Sequence, residues 1–237
     1  MLTILLPPSE GKAAGGGRPR WAPASGRYGR RLAPVRREVI TALAGVDGGD
    51  GSLLGVRGDA LERARAANRS LLGAPTLPAW QRFTGVVWEH LDVGSLPEPA
   101  RERASGAVVV VSALAGLSAL DDPLPDFRLK LSVTLPSVGR LGRRWREPVT
   151  EALARSTNGG LVIDLLPHEH AAAVDFAALS ADVLRVRFVG HDARVAGHTA
   201  KAAKVLFDRA LLETDDPERA VGRWRHPHLR AEVSAVR

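Results

Sequence analysis

Two stretches of this chain carry residue types whose spacing suits chemistry. LLPPSEGK, Leu5 to Lys12, ends an apolar run with two prolines, a serine, a glutamate, a glycine and a lysine. A Walker loop needs a second glycine and Lys-Ser/Thr at fixed spacing, so this is no P-loop. Pro7 and Pro8 stop a strand instead, and Ser9, Glu10 and Lys12 then form the lip of a cleft. LVIDLLPHEH runs from a second strand directly into His168, Glu169 and His170. Open α/β sheets bind ligands at such strand ends. A carboxylate there, beside a basic helix, stays ionised and oriented, which makes Glu169 a candidate general acid or base. His168 and His170 could recruit His191 from FVGHD for zinc, but the pattern lacks the regularity of zinc sites. No metal and no cofactor are expected.

A third stretch, VVVVSALAGLSALDDPLPDFRLKL, reads in two ways. Small residues with Gly116 in a hairpin between helices would expose backbone N–H groups to a phosphate, the device of helix-hairpin-helix DNA binding. The same residues suit a packed strand-to-helix turn. Further on, Arg128 and Lys130 alternate with Phe127 and Leu129, so an extended backbone puts both cations on one face.

The elements that must position these groups are legible as periodicities. Leu2 to Leu6, Ala107 to Ser112, Leu161 to Leu166 and Val183 to Val189 are apolar, β-branched runs of strand length. Asp59 to Leu72, Trp145 to Arg155 and Val195 to Glu213 have helical apolar spacing. Ala13 to Ser25, rich in Gly, Pro and Arg, reads as a mobile loop, and Gly45 to Gly58 as a second glycine-rich connection. The class is α/β, and 237 residues with 45% hydrophobic content suffice for a substantial core. On the last helix Leu206, Phe207, Ala210 and Leu211 fall on one side, and Lys201, Lys204, Asp208 and Arg209 on the other.

Charge sets the class of partner. The net charge of +7 attracts phosphates and other anions. It is carried almost wholly by arginine, which suits bidentate phosphate contacts. Lysine is scarce, at Lys12, Lys130, Lys201 and Lys204 only, so each lysine is the more informative. The absence of cysteine excludes disulfides, thiolate ligands and thiol chemistry. The opening MLTILLPP is too short for a signal-peptide core and no apolar run reaches membrane-spanning length, so a cytoplasmic protein with no membrane partner is expected.

In order and spacing, LLPPSEGK, FTGVVWEHL, VSALAGLSALDDPLPDFRLKL, WREPVTEAL, LVIDLLPHEH and GHTAKAAKVLFDR resemble the YaaA peroxide-stress family across nearly the whole chain. The resemblance implies one compact domain over residues 1–237, with a mixed central sheet flanked by helices, a helix-hairpin-helix-like element and a basic cleft. It also implies binding of double-stranded or structured DNA and a role in limiting iron-linked oxidative damage. By position, the family's Pro-x-Lys element falls on Pro8 to Lys12, its Gly-x-x-Tyr/Trp segment on Gly85 and Trp88, and its hairpin on Ser112 to Gly116. Its arginine after an aromatic is Arg128 after Phe127, and its late basic helix supplies Lys201, Lys204 and Arg209. The acidic strand-end motif, commonly Asp-Glu-Tyr, keeps only Glu169 here. A lysine that often follows it is replaced within AAAV, and a glutamate after the arginine is replaced by Lys130.

Two functions follow as expectations. One is DNA binding in the peroxide-stress response, with Ser9, Lys12, Arg128, Lys201, Lys204 and Arg209 around the phosphates. The other is an enzyme acting on a nucleotide, a nucleobase or damaged DNA, with Glu169 as general acid or base.

Overall fold

The computed structural model describes residues 1–190, 206–214, 216–227 and 229–236. Each apolar run becomes a strand of one six-stranded sheet. Four strands are parallel and lie in the order Asp182–Gly190, Leu161–Asp164, Leu2–Leu6, Val108–Ser112. Leu229–Val236 and Gly116–Ala119 add antiparallel edges. Ile4 pairs with Val108 on one side and Ile163 on the other, and Ile4, Val108 and Ile163 have no exposed surface. Such continuous apolar strands suit a sheet buried on both faces, as parallel sheets are. Helices Gly29–Gly45 and Leu141–Thr157 pack on each other and on the Gly116–Ala119 strand, while Glu98–Ala107 packs on Leu2–Leu6. This is the mixed α/β architecture that the periodicities imply.

The strand order creates a crevice. From Leu2–Leu6 the chain crosses to Val108–Ser112 on one side, and from Leu161–Asp164 it crosses to Asp182–Gly190 on the other. The connections therefore diverge beyond the carboxyl ends of two adjacent central strands, which is where open α/β sheets hold ligands. Both motifs singled out in the sequence emerge there.

Three local expectations are corrected. Ser112 to Gly116 joins two strands, neither two helices nor a strand and a helix, and all five residues are buried. Its carbonyls face inward: Arg36 donates to Ala115 O at 2.9 Å and Leu117 O at 2.8 Å, and Trp145 Nε1 to Ala113 O at 2.7 Å. Gly116 has φ +65°, and a Cβ there would lie 2.7 Å from the Trp145 ring, so the glycine serves packing. The glycine-rich Ala13 to Ser25 is pinned as well. Gly17–Arg20 pairs with Pro75–Pro78, and the fully buried Arg82 donates to the carbonyls of Ala13, Gly15 and Leu124.

The last helix is turned relative to its expected orientation. Residues 206–212 are helical, but Leu206 is exposed while Asp208 is fully buried. Phe207 sets this rotation by packing edge-on against Phe188 and Trp224, at 5.6 and 5.8 Å between centroids. The remainder of the expected helix, with Lys201 and Lys204, lies outside the described residues, as does His191. Among the described residues no helix is long and apolar enough to cross a membrane.

Candidate functional site

The crevice holds a cavity of about 110 Å³ whose wall includes Ser9, Glu10, Lys12, Arg128, Lys130 and Glu169. Strand Leu2–Leu6 delivers the first three and strand Leu161–Asp164 the last. Segment 127–130 forms the third side by the alternation read in the sequence: Phe127 and Leu129 are buried, and Arg128 and Lys130 turn outward.

Lys12 forms part of the floor. Its ammonium donates to Ser9 O at 3.1 Å and Glu10 O at 3.4 Å and sits 4.2 Å from the centroid of the Phe127 ring. Burial, more than any neighbouring charge, lowers its pKa from 10.5 to about 8. Ser9 braces the same turn, since its hydroxyl donates to Gly11 O and accepts from Thr84 N at 2.9 Å. Lys12 also bridges to Phe83, which ties the lip to the segment pinned by Arg82. Ser9 therefore shapes the loop, whereas Lys12 presents a titratable amine.

Glu10 spans two cations. One carboxylate oxygen is 2.6 Å from Lys130 Nζ and the other 2.9 Å from an Arg128 terminal nitrogen. The Lys130 hydrogen bond, with both positive charges, holds the Glu10 carboxyl below its ordinary range. Arg128 is itself fixed from behind. Its Nε donates to Leu54 O at 3.1 Å, its N–H to Asn68 Oδ1 at 3.0 Å, and its carbonyl accepts from Asn68 Nδ2 at 2.9 Å. Nothing in the sequence announces Asn68, because its partner Arg128 lies 60 residues away.

Glu169 stands on a single helical turn, His168–Ala171, and accepts a 2.9 Å bond from Ser132 N. The turn is held from the strand end, where buried Asp164 pairs with Arg185 at 2.6 Å and accepts from Leu166 N at 3.0 Å. Glu169 also borders a neighbouring groove with His168, Arg140, Arg143 and Arg146, and Lys130 borders another with Asp50, Ser52 and Thr134. Three concavities thus adjoin, the central one sharing Lys130 with one neighbour and Glu169 with the other. RLGRRWR carries its arginines at positions 140, 143 and 146, a spacing of three that shares one helix face. That signal was present in the sequence, but the abundance of arginine hid it. Arg144, off that register, turns away to Glu38 at 2.7 Å.

Of the residues singled out in the sequence, the cavity brings together Ser9, Glu10, Lys12, Arg128, Lys130, Glu169 and His170, while His168 borders the neighbouring groove. Arg209 is elsewhere: it donates to Leu91 O and Ser95 Oγ at 3.0 Å and pairs with Glu213. Among the described residues no group of three His, Asp or Glu side chains is placed to hold a metal ion.

Residues 2–218 match the family model described as peroxide stress protein YaaA. An UPF0246 protein of Streptomyces coelicolor is 36% identical over 224 residues, covering 90% of this chain and 84% of that protein. One from Corynebacterium glutamicum strain R is 31% identical over 228 residues, covering 92% and 88%. With a family model matching across the four parallel strands, the lip and the strand-end turn alike, the chain belongs to the peroxide stress protein YaaA family.

Proposed function

We propose that the chain serves the peroxide-stress response by binding DNA across the carboxyl end of its sheet. The observation that carries this reading is the run of adjoining concavities, with Lys12, Arg128 and Lys130 in the centre and Arg140, Arg143 and Arg146 to one side. Clustered guanidinium groups suit phosphodiester oxygens. Arg146 is 3.3 Å from Asp175 Oδ2, so Arg140 and Arg143 make the cleaner test. Replacing both by Ala should lower the magnitude of the slope of log affinity against log salt by about 1 to 2 units on any duplex. An unchanged slope in a folded variant, or no duplex binding by the parent protein, refutes the reading.

One observation favours a second function at the same place. A cavity of about 110 Å³ is far too small for a duplex, yet Glu169, oriented by Ser132 N–H, lies on its wall. A group of phosphate or small-ring size, on a nucleotide or a displaced base, would reach that carboxylate as general acid or base. Glu169→Gln should then keep binding and lose turnover. A parent protein that forms no product from nucleotides or damaged oligonucleotides leaves binding alone.

A further inference from the structure

Arg128 and Lys130 are two cations with different backing but one target. The Arg128 peptide is clamped on both sides by Asn68, which is 2% exposed, and its Nε is committed to Leu54 O. The guanidinium thus reaches the cavity with a terminal nitrogen already aimed. Lys130 comes to the same place because Phe127 and Leu129 anchor the alternating strand-like segment in the core. Glu10 is the opposite case. It is carried on the lip, its side chain is 62% exposed, and its two oxygens are divided between the two cations at 2.9 and 2.6 Å.

The asymmetry has a chemical meaning. Exposed ion pairs contribute little to stability, so the pair is no strong reason for a carboxylate to sit there. A phosphate group offers the same two cations a further oxygen and a larger charge. The fork is built on the fixed side and filled from the exposed side, the arrangement of a binding site with an internal occupant. Lys130 and Arg128 also hold the Glu10 carboxyl below its ordinary range, which favours the anion that a phosphate would displace.

We propose that Arg128 and Lys130 form a subsite for a phosphate monoester, and that Glu10 is its built-in counter-ion, displaced when the phosphate enters. The proposal rests on the reading above that this cleft takes phosphorylated ligands, and it narrows that reading to a terminal phosphate beside Glu169. The phosphate belongs either to a nucleoside monophosphate or to the end of a nucleic acid strand. In both cases the sugar and base would extend into the adjoining cavity space, toward Lys12 or toward Glu169.

The test compares the whole parent protein with Glu10→Gln, which keeps the side-chain size and removes the charge. Binding of inorganic phosphate and of a nucleoside 5′-monophosphate is followed by calorimetry. If the closed pair is occupied about nine-tenths of the time, removing it should tighten both ligands about tenfold. Lys130→Met should weaken both, and far-UV circular dichroism checks that each variant is folded. A 5′-phosphorylated duplex against its 5′-hydroxyl twin separates the two sources: a preference for the phosphorylated end that grows in Glu10→Gln assigns the subsite to strand ends. Unchanged or weaker phosphate binding in Glu10→Gln overturns the proposal, and so does the absence of phosphate binding in both proteins. Salt-sensitive duplex binding measured on the same samples shows whether the wider DNA reading survives that outcome.

Discussion

Replacing Lys12 by Met tests the electrostatics of the cavity floor directly. Met keeps an unbranched apolar chain over Phe127 and removes the titrating amine. Burial lowers the Lys12 pKa from 10.5 to about 8. A base with a lowered folded-state pKa is bound to its proton more tightly in the unfolded chain. Between about pH 8 and pH 10.5 the unfolded state therefore holds more protons, and the parent protein gains stability from this residue as pH rises. Below about pH 8 the cost of burying the charge is present in full. The shift is worth about 3 kcal/mol over the window, at roughly 1.4 kcal/mol for each pKa unit. The cation over Phe127 and the bonds to Ser9 O and Glu10 O oppose the gain from substitution, at about 1 kcal/mol each. At neutral pH the variant should thus lie within about 1 kcal/mol of the parent. The pH dependence of the difference is decisive: relative to the parent, Lys12→Met should lose about 3 kcal/mol between pH 7.5 and pH 10.5. Urea unfolding of both proteins at a series of pH values measures it, and groups common to the two cancel. A difference that stays constant within about 0.5 kcal/mol would mean that Lys12 titrates as a solvated lysine, and the account of the cavity floor would fall.

Arg209→Ala should destabilise the fold by about 2 kcal/mol, since the guanidinium ties the helix at 206–212 to Leu91 O and Ser95 Oγ. Thermal unfolding measures that loss, and the salt slope of duplex binding should not move; a changed slope with unchanged stability would return Arg209 to the phosphate surface. Asn68→Ala strips the Arg128 peptide of both partners and leaves Gly48 O without its 2.8 Å donor. It should cost about 2 to 3 kcal/mol in urea unfolding and weaken phosphate binding as well. A loss below about 0.5 kcal/mol would show that the clamp is dispensable.

What the sequence determined by itself is what short-range physics determines. Runs such as LTILL and VVVVS are too short for helices and rich in β-branched residues, so they become strands wherever the chain places them. Proline at positions 7 and 8 ends the first strand without reference to any partner. The alternation of Phe127, Arg128, Leu129 and Lys130 assigns two residues to the core and two to the cleft, because an extended backbone has period two. Where local patterns are degenerate, the sequence left the choice open. Ser112 to Gly116 suits a phosphate-binding hairpin and, more readily, a packed strand-to-helix turn, and the chain forms neither: it joins two strands, with its carbonyls accepting from the Arg36 and Trp145 side chains of distant helices. The helix at 206–212 buries Phe207 and Leu211 as its pattern assigns, but packing on Phe188 and Trp224 turns it enough to bury Asp208 and expose Leu206. The lip, the strand-end turn and the alternating segment are each legible singly, but that they face one another belongs to the tertiary structure. Glu10 meets Arg128 across 118 residues of chain because Leu2–Leu6 lies centrally in the sheet, beside Leu161–Asp164. Strand order is a property of how buried faces are shared among all the elements at once, and no window of sequence contains it.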